Sequence, residues 1–189
     1  MPPRPFLSRL NAIVRFRRDT RGVAAVEFAL VAPILILAYL GMAELTLGLM
    51  AARRTEHLAS TVGDLASQSD NLTQTDLTDL FTIGGSMLPP FPTGPALKMR
   101  ISEVEMNPSN KAIVIWNQPN NWTGTAYVDG TTVIPQITTT QLAQGQYLIM
   151  TEVEYDYVSP IGTFLKGTTK MTYTFYHHPR NGTQVTQIG

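Results

Sequence analysis

Hydrophobic and polar positions divide the chain into two stretches of different character. Between Val23 and Ala52 only Glu27 and Glu44 are charged, and most other residues are Ala, Val, Leu or Ile. As a helix this run is about 45 Å long, more than the roughly 30 Å hydrocarbon core of a bilayer. The pattern predicts a transmembrane helix over residues 23–52.

Two other interpretations of this run stay open. A buried helix of a soluble protein is disfavoured because uncharged apolar runs of this length are rare in soluble cores. A cleaved secretory signal has an apolar region of about 7–15 residues followed by a small-x-small site. The run here is longer, and the segment 48–52 (GLMAA) leads into Arg53 and Arg54 without a clear site. A retained anchor explains the run best.

After the apolar run, helical periodicity continues. Leu58, Val62, Leu65 and Leu72 recur at intervals of three, four and seven residues, which predicts a helical continuation over residues 53–83. Within it, Asp70-Asn71 is typical of a break. The segment 73–76 resembles a capping box that opens a short helix through Phe81.

Residues 84–96 contain the segment GGSMLPPFPTGP and form a predicted Gly/Pro-rich linker. Beyond it the period changes toward two, and 97–189 is predicted to be a β-rich extracytoplasmic domain. The predicted strands are Leu97–Met106, Lys111–Trp116, Thr125–Val128, Tyr147–Val158 and Thr168–Tyr176, with turns at 107–111 and 159–167. The fold class is therefore α+β: a long N-terminal transmembrane helix continuing into a small antiparallel β-sheet domain.

The distribution of charge predicts how the transmembrane helix is oriented in the membrane. Residues 1–22 form a basic leader with six arginines and one acid, although the net charge of the whole chain is zero. Basic flanks of apolar helices remain in the cytoplasm, so residues beyond about 55 are predicted to lie outside it. We expect no nucleic-acid binding, because the basic arm directly abuts the apolar run. The chain has no cysteine, which excludes disulfides and thiolate chemistry.

Glu27 is the residue that most needs an explanation, because a carboxylate inside a membrane segment is costly. The simplest explanation places it at the lipid headgroups beside Arg18 and Arg21. A second one begins with cleavage between Gly22 and Val23. Val23 would then carry a cationic α-amine, and the Glu27 carboxylate of one helix would pair with the amine of a staggered neighbour, which sets the register between subunits.

At these residues the sequence resembles a family. A basic leader, a glycine, four residues, Glu-Phe and an apolar helix (RRDTRG-VAAVEFALVAPILIL) are similar to the class III signal of TadE/TadG-like minor pilins, or pseudopilins, of the tight-adherence (Flp pilus) system. The resemblance implies a prepilin peptidase acting at Gly22 and Val23, and assembly through Glu27 and Phe28. It implies a single-pass protein of the bacterial inner membrane whose partners are that peptidase, the bilayer and other pilin or pseudopilin subunits contacting the apolar helix. Its function would be to support assembly of an adhesive pilus.

Pro33 lies inside the predicted helix, where it removes a backbone donor and crowds the preceding turn, so a kink near residues 29–33 is expected. No grouping typical of catalysis, cofactor binding or a metal site is apparent. Glu152, Glu154 and Asp156 alternate along one strand and indicate a solvated face rather than a calcium site. We expect a protein that is not an enzyme and needs no cofactor; the alternative function is a single-span envelope adaptor or binding protein that retains its N-terminus.

Overall fold

The computed structural model describes residues 22–188. Its helices and strands in chain order are α1 (Val23–Ser67), β1 (Asn71–Thr73), α2 (Gln74–Ser86), a 3₁₀ turn (Gly94–Ala96), β2 (Leu97–Met106), β3 (Ala112–Asn120), β4 (Tyr147–Val158), β5 (Thr168–His177) and β6 (Thr186–Ile188). Two compact units are present, one ending at Ala43 and one beginning at Glu44. A long N-terminal helix followed by an antiparallel sheet confirms the predicted α+β class.

The part of α1 that belongs to the second unit is amphipathic. Buried positions recur at three- and four-residue intervals and place one stripe of the helix in the core (Glu44, Gly48, Ala51, Thr55, Leu58, Ala59, Val62, Gly63, Ala66, Ser67). Small residues in this stripe allow a close approach to the sheet. A Cβ added to Gly63 would lie 2.6 Å from His177 Nδ1 and 2.7 Å from Thr151 Oγ1.

The predicted helical continuation over 53–83 consists of two helices, with the interruption near the predicted break at Asp70-Asn71. α1 ends at Ser67, near the predicted break, and α2 begins at Gln74. Thr73 caps α2: its hydroxyl accepts from the Asp76 amide at 3.2 Å, and the Asp76 carboxylate accepts from the Thr73 amide at 2.8 Å. The Thr73 hydroxyl also donates to the Asp76 carboxylate at 2.6 Å, and this bond, together with the one from the Thr73 amide, lowers the pKa of Asp76. The predicted capping box is confirmed.

α2 continues past Phe81 to Ser86, so the predicted linker over 84–96 begins too early. Gly84 is buried, and a Cβ there would lie 3.0 Å from Met99 Sδ and 3.1 Å from a methyl of Val62. Glycine was counted as a helix breaker in the sequence, but here it permits tight packing of α2 on the core.

The sheet has four antiparallel strands in the order β3-β2-β4-β5. Strands β2 and β4 have the predicted bounds, and β3 and β5 extend the predicted segments to Asn120 and His177. A bulge lies between Glu103 and Val104 where β2 pairs with β3. The predicted strand Thr125–Val128 is wrong, because this segment forms no strand and instead folds over polar side chains of the sheet.

The two faces of the sheet are buried differently. One face packs on α1 and α2 with side chains including Ile101, Val153, Tyr155 and Tyr157. The other face is apolar at one end, where Val104, Met106, Val114, Leu148 and Met150 contact Ile134, Ile137 and Leu142 of the irregular segment between β3 and β4. Its opposite end is charged.

A parallel pair of short strands, β1 and β6, was not predicted from the sequence. Beside it, Val185 lies buried on the core, and its carbonyl accepts from the indole of Trp116 at 2.8 Å. The Val185 amide donates to the Glu103 carboxylate at 2.6 Å. The segment before β6 is thereby fixed to the centre of the sheet.

Candidate functional site

The first unit consists of an apolar helical surface. From Val23 to Met42 large apolar side chains are exposed, among them Phe28 at 70 %, Leu30 at 68 % and Ile34 at 67 %. Among residues 22–188, α1 is the one helix long and apolar enough to cross a membrane. Continuous apolar surface of this extent marks a site of contact with lipid or protein.

Gly22 and Val23, the predicted processing residues, lie at the boundary of α1. Gly22 precedes the helix in a turn, and its carbonyl accepts from the Val26 amide at 3.1 Å. Val23 is the first helical residue. A Cβ on Gly22 would meet no atom within 4 Å in the described chain. The peptide bond between the two residues therefore joins non-helical to helical backbone, and whether it is cut stays a prediction.

Glu27 and Phe28 lie in the second turn of α1, and both are exposed. The carboxylate of Glu27 therefore has access to a group outside this chain. The basic leader 1–21, with Arg18 and Arg21, lies outside the described residues, so the alternative pairing of Glu27 with these arginines has no structural description. Charge pairing with a neighbouring subunit stays a prediction.

Pro33 lies inside α1, which continues through it as one helix from Val23 to Ser67. The helix lacks the hydrogen bond that the nitrogen of residue 33 would otherwise donate. The expected kink at residues 29–33 stays a prediction.

Sequence reasoning missed the role of Glu44. This residue opens the second unit and is fully buried. Its two carboxylate oxygens accept hydrogen bonds from the backbone amides of Phe164 at 2.8 Å and Leu165 at 3.1 Å. Both amides belong to the β4–β5 loop, residues 159–167. The only sequence signal was a second glutamate in an otherwise uncharged run.

The alternating acids of β4 do not form a solvated face, contrary to expectation. Asp156 pairs with Lys98 at 2.8 Å, Glu154 with Lys170 at 2.9 Å, and Glu152 with Arg100 at 2.7 Å. Because β4 lies between β2 and β5, Glu152 is directly opposite Arg100 in the register, whereas Asp156 and Glu154 pair with lysines that lie diagonally across from them. All three carboxylates therefore form ion pairs within the sheet.

Arg100 is the centre of this charged cluster and is 2 % exposed. Its guanidinium lies 3.4 Å from the ring centroid of Tyr127 and 4.3 Å from that of Trp122. It also donates to the carbonyl of Thr125 at 2.7 Å. Burial and the nearby Glu152 carboxylate raise the pKa of Tyr127 to about 12, so its hydroxyl stays a donor to Glu152. This cluster ties the segment 121–129 to the sheet.

Within residues 22–188 no group of three or more His, Asp or Glu side chains is arranged to hold a metal ion. His177 is half-buried and stacks on Phe175, and burial lowers its pKa. His178 is exposed. His178 lies directly after β5, and the two adjacent histidines differ in exposure.

The comparisons with known proteins agree with the resemblance found in the sequence. A family model described as TadE-like protein matches residues 22–64. The matched segment runs from the turn at Gly22 through most of α1 and stops before the sheet. No curated protein and no solved structure matches the chain.

Proposed function

We propose that this chain, whose residues 22–64 match the TadE-like family of the Tad pilus system, is a membrane-anchored minor pilin or pseudopilin matured by prepilin peptidase. It supports assembly of a Flp-type adhesive pilus and has no enzymatic activity of its own. The observation that carries this proposal is an exposed carboxylate, Glu27, in the second turn of a bare apolar helix.

The apolar surface of residues 23–43 supports the anchoring part of the proposal. A helix with so many exposed apolar side chains is stabilised by transfer to lipid, at about 25 cal/mol for each Å² removed from water. The basic leader favours a cytoplasmic N-terminus, which leaves the β-rich domain on the periplasmic side of the inner membrane. The apolar helix surface thus supports anchoring, and the basic leader independently supports the orientation.

Glu27 supports the assembly part. A carboxylate near the centre of a bilayer costs about 2.5–3.5 kcal/mol, and less near the interface. Pairing with the α-amine of Val23 on a staggered neighbour offsets this cost, and a helix out of register does not gain it. The apolar helix surface around Phe28 supplies the contact with other pilin subunits.

Maturation is tested by N-terminal sequencing of the protein purified from its native host. We expect Val-Ala-Ala-Val-Glu, the sequence that begins at Val23. Gly22→Leu should block this cleavage, whereas Gly22→Ala should retain it. Since a side chain at Gly22 has open space around it, a block would reflect the peptidase rather than misfolding. An intact start would favour the adaptor, and a new start near Ala51 would favour a secreted protein.

Assembly is tested by counting surface pili in cells that carry Glu27 variants. Glu27→Ala should insert into the membrane as well as wild type and yet reduce piliation, and Glu27→Asp should retain part of it. Glu56→Ala is the matched control, because Glu56 is an exposed acid on the same helix in the second unit. Normal piliation in Glu27→Ala would contradict the charge-pairing account.

A further inference from the structure

The β4–β5 loop (residues 159–167) carries a second contact surface beside the apolar helix. The loop holds no charged residue before Lys166. Phe164 is 57 % exposed and Leu165 is 36 % exposed, and Val158 at the end of β4 is 60 % exposed. Large apolar side chains at the tip of a connecting loop are unusual where the loop faces water.

The loop is fixed to one particular turn of α1. Its amides at Phe164 and Leu165 bind the buried Glu44 carboxylate. One turn further along, a methyl of Leu165 lies 3.5 Å from where a Cβ on Gly48 would be. The loop therefore covers the helix at residues 44–48, directly after the bare apolar segment ends at Ala43.

The exposed face of α1 shows on which side of the proposed lipid–water boundary residues 44–48 lie. Leu45 and Leu49 are exposed at 60 % and 54 %. The next exposed side chains are polar, beginning with Arg53 and followed by Glu56 and His57. The change from apolar to polar surface falls between Leu49 and Arg53, so Glu44 and the loop above it lie on the apolar side of that change.

We infer that the β4–β5 loop enters the headgroup and upper acyl region of the bilayer through Phe164 and Leu165, as a second attachment of the outer domain to the lipid surface. This inference rests on the proposed anchoring of the helix. The loop amides satisfy the Glu44 carboxylate at a depth where water is scarce, and a buried carboxylate without such donors would be costly there. Lys166 follows at the height of the phosphates, where its amine favours anionic lipid.

The absence of native cysteine permits a direct test. The full chain carrying Phe164→Cys, labelled with an environment-sensitive fluorophore, is reconstituted in vesicles of phosphatidylethanolamine and phosphatidylglycerol. Quenching by aqueous iodide is compared with quenching by nitroxide lipids. Leu37→Cys in the apolar segment reports anchoring. Val128→Cys is the exposed control, because it lies near the opposite end of β4, about 30 Å along the strand.

We expect the label at position 164 to be quenched by nitroxide lipids and to be several-fold less accessible to iodide than the label at position 128. Iodide access at 164 equal to that at 128, with position 37 protected, would overturn the inference and leave anchoring intact. Iodide access at 37 as well would overturn both. Protection at 164 without nitroxide quenching would mean that protein covers the loop, which also overturns the inference.

Discussion

Glu103 gives the sharpest thermodynamic prediction. It is fully buried in β2 under the segment that precedes β6, and Oε1 accepts from the Val185 amide at 2.6 Å. Oε2 is buried without a hydrogen-bond partner among residues 22–188. Burial raises the pKa of this carboxyl to about 7 from 4.5, an effect that the Val185 hydrogen bond only partly offsets. The change to make is Glu103→Gln, which has the shape of the protonated acid.

The sign of the effect follows from proton binding. Between pH 4.5 and about 7 the folded chain holds a proton that the unfolded chain has released, so the free energy of unfolding falls as pH rises. At 1.36 kcal/mol per pH unit the interval gives about 3 kcal/mol. Water near the segment that precedes β6 screens the Glu103 carboxylate and reduces this free energy, so we expect a difference of about 2 kcal/mol. The loss is complete above pH 7 and absent below pH 4.5.

The assay is urea unfolding of the full chain in detergent micelles from pH 4.5 to 8, followed by tryptophan fluorescence, since the Trp116 indole binds Val185 directly. Glu103→Gln should match wild type at low pH and exceed its stability at pH 8. His177 contributes an opposite slope, because burial lowers its pKa, but both variants share it. Glu56→Gln, an exposed acid on α1, is the control. An unchanged difference between wild type and Glu103→Gln across this range would refute the reasoning.

Three further predictions concern packing and the buried charges. Gly63→Ala should lower the free energy of unfolding by about 1–3 kcal/mol, because the added Cβ overlaps side chains of the sheet. Gly85→Ala has open space around its Cβ and should be neutral or stabilising. Equal effects of the two variants in urea unfolding would contradict this. Arg100→Met should cost about 3 kcal/mol by leaving the Glu152 carboxylate unpaired, and adding Glu152→Met should recover part of that; additive losses would refute the pairing. Glu44→Ala should accelerate hydrogen exchange at the two loop amides by about tenfold or more, and unchanged exchange would exclude its role in holding the loop.

Local patterns were enough to predict much of the fold. The apolar run, the alternation in Leu97–Met106 and Tyr147–Val158 and the capping box at Thr73 are all short-range features, and the structure has each where it was predicted. Strand Thr125–Val128 failed because β-forming residues there serve a different contact, the stacking of Tyr127 on Arg100. β-propensity records only that a residue suits a half-buried surface.

The features that could not be predicted depend on partners distant in the sequence. Glu44 is bound by amides 120 and 121 residues away, and Glu103 by one 82 residues away. The parallel pair β1 and β6 has three residues in each strand, too few to give a periodic pattern. Gly22, Val23, Glu27 and Phe28 were named from the sequence and their roles stay predictions, while the loop that covers α1 at Glu44 emerged only from the structure.

The pairing of β1 with β6 has a consequence for biogenesis. A nascent chain that has been translated as far as Val158 already contains the apolar helix and three strands of the sheet, but not the segment that closes over Glu103 and Trp116. At that point the β-rich unit is still open, and apolar side chains that β5 and residues 185–188 later cover are unprotected. Until residues 185–188 arrive, that surface is accessible to chaperones and proteases, and a premature stop there would leave the apolar helix attached to an unfinished β-rich unit.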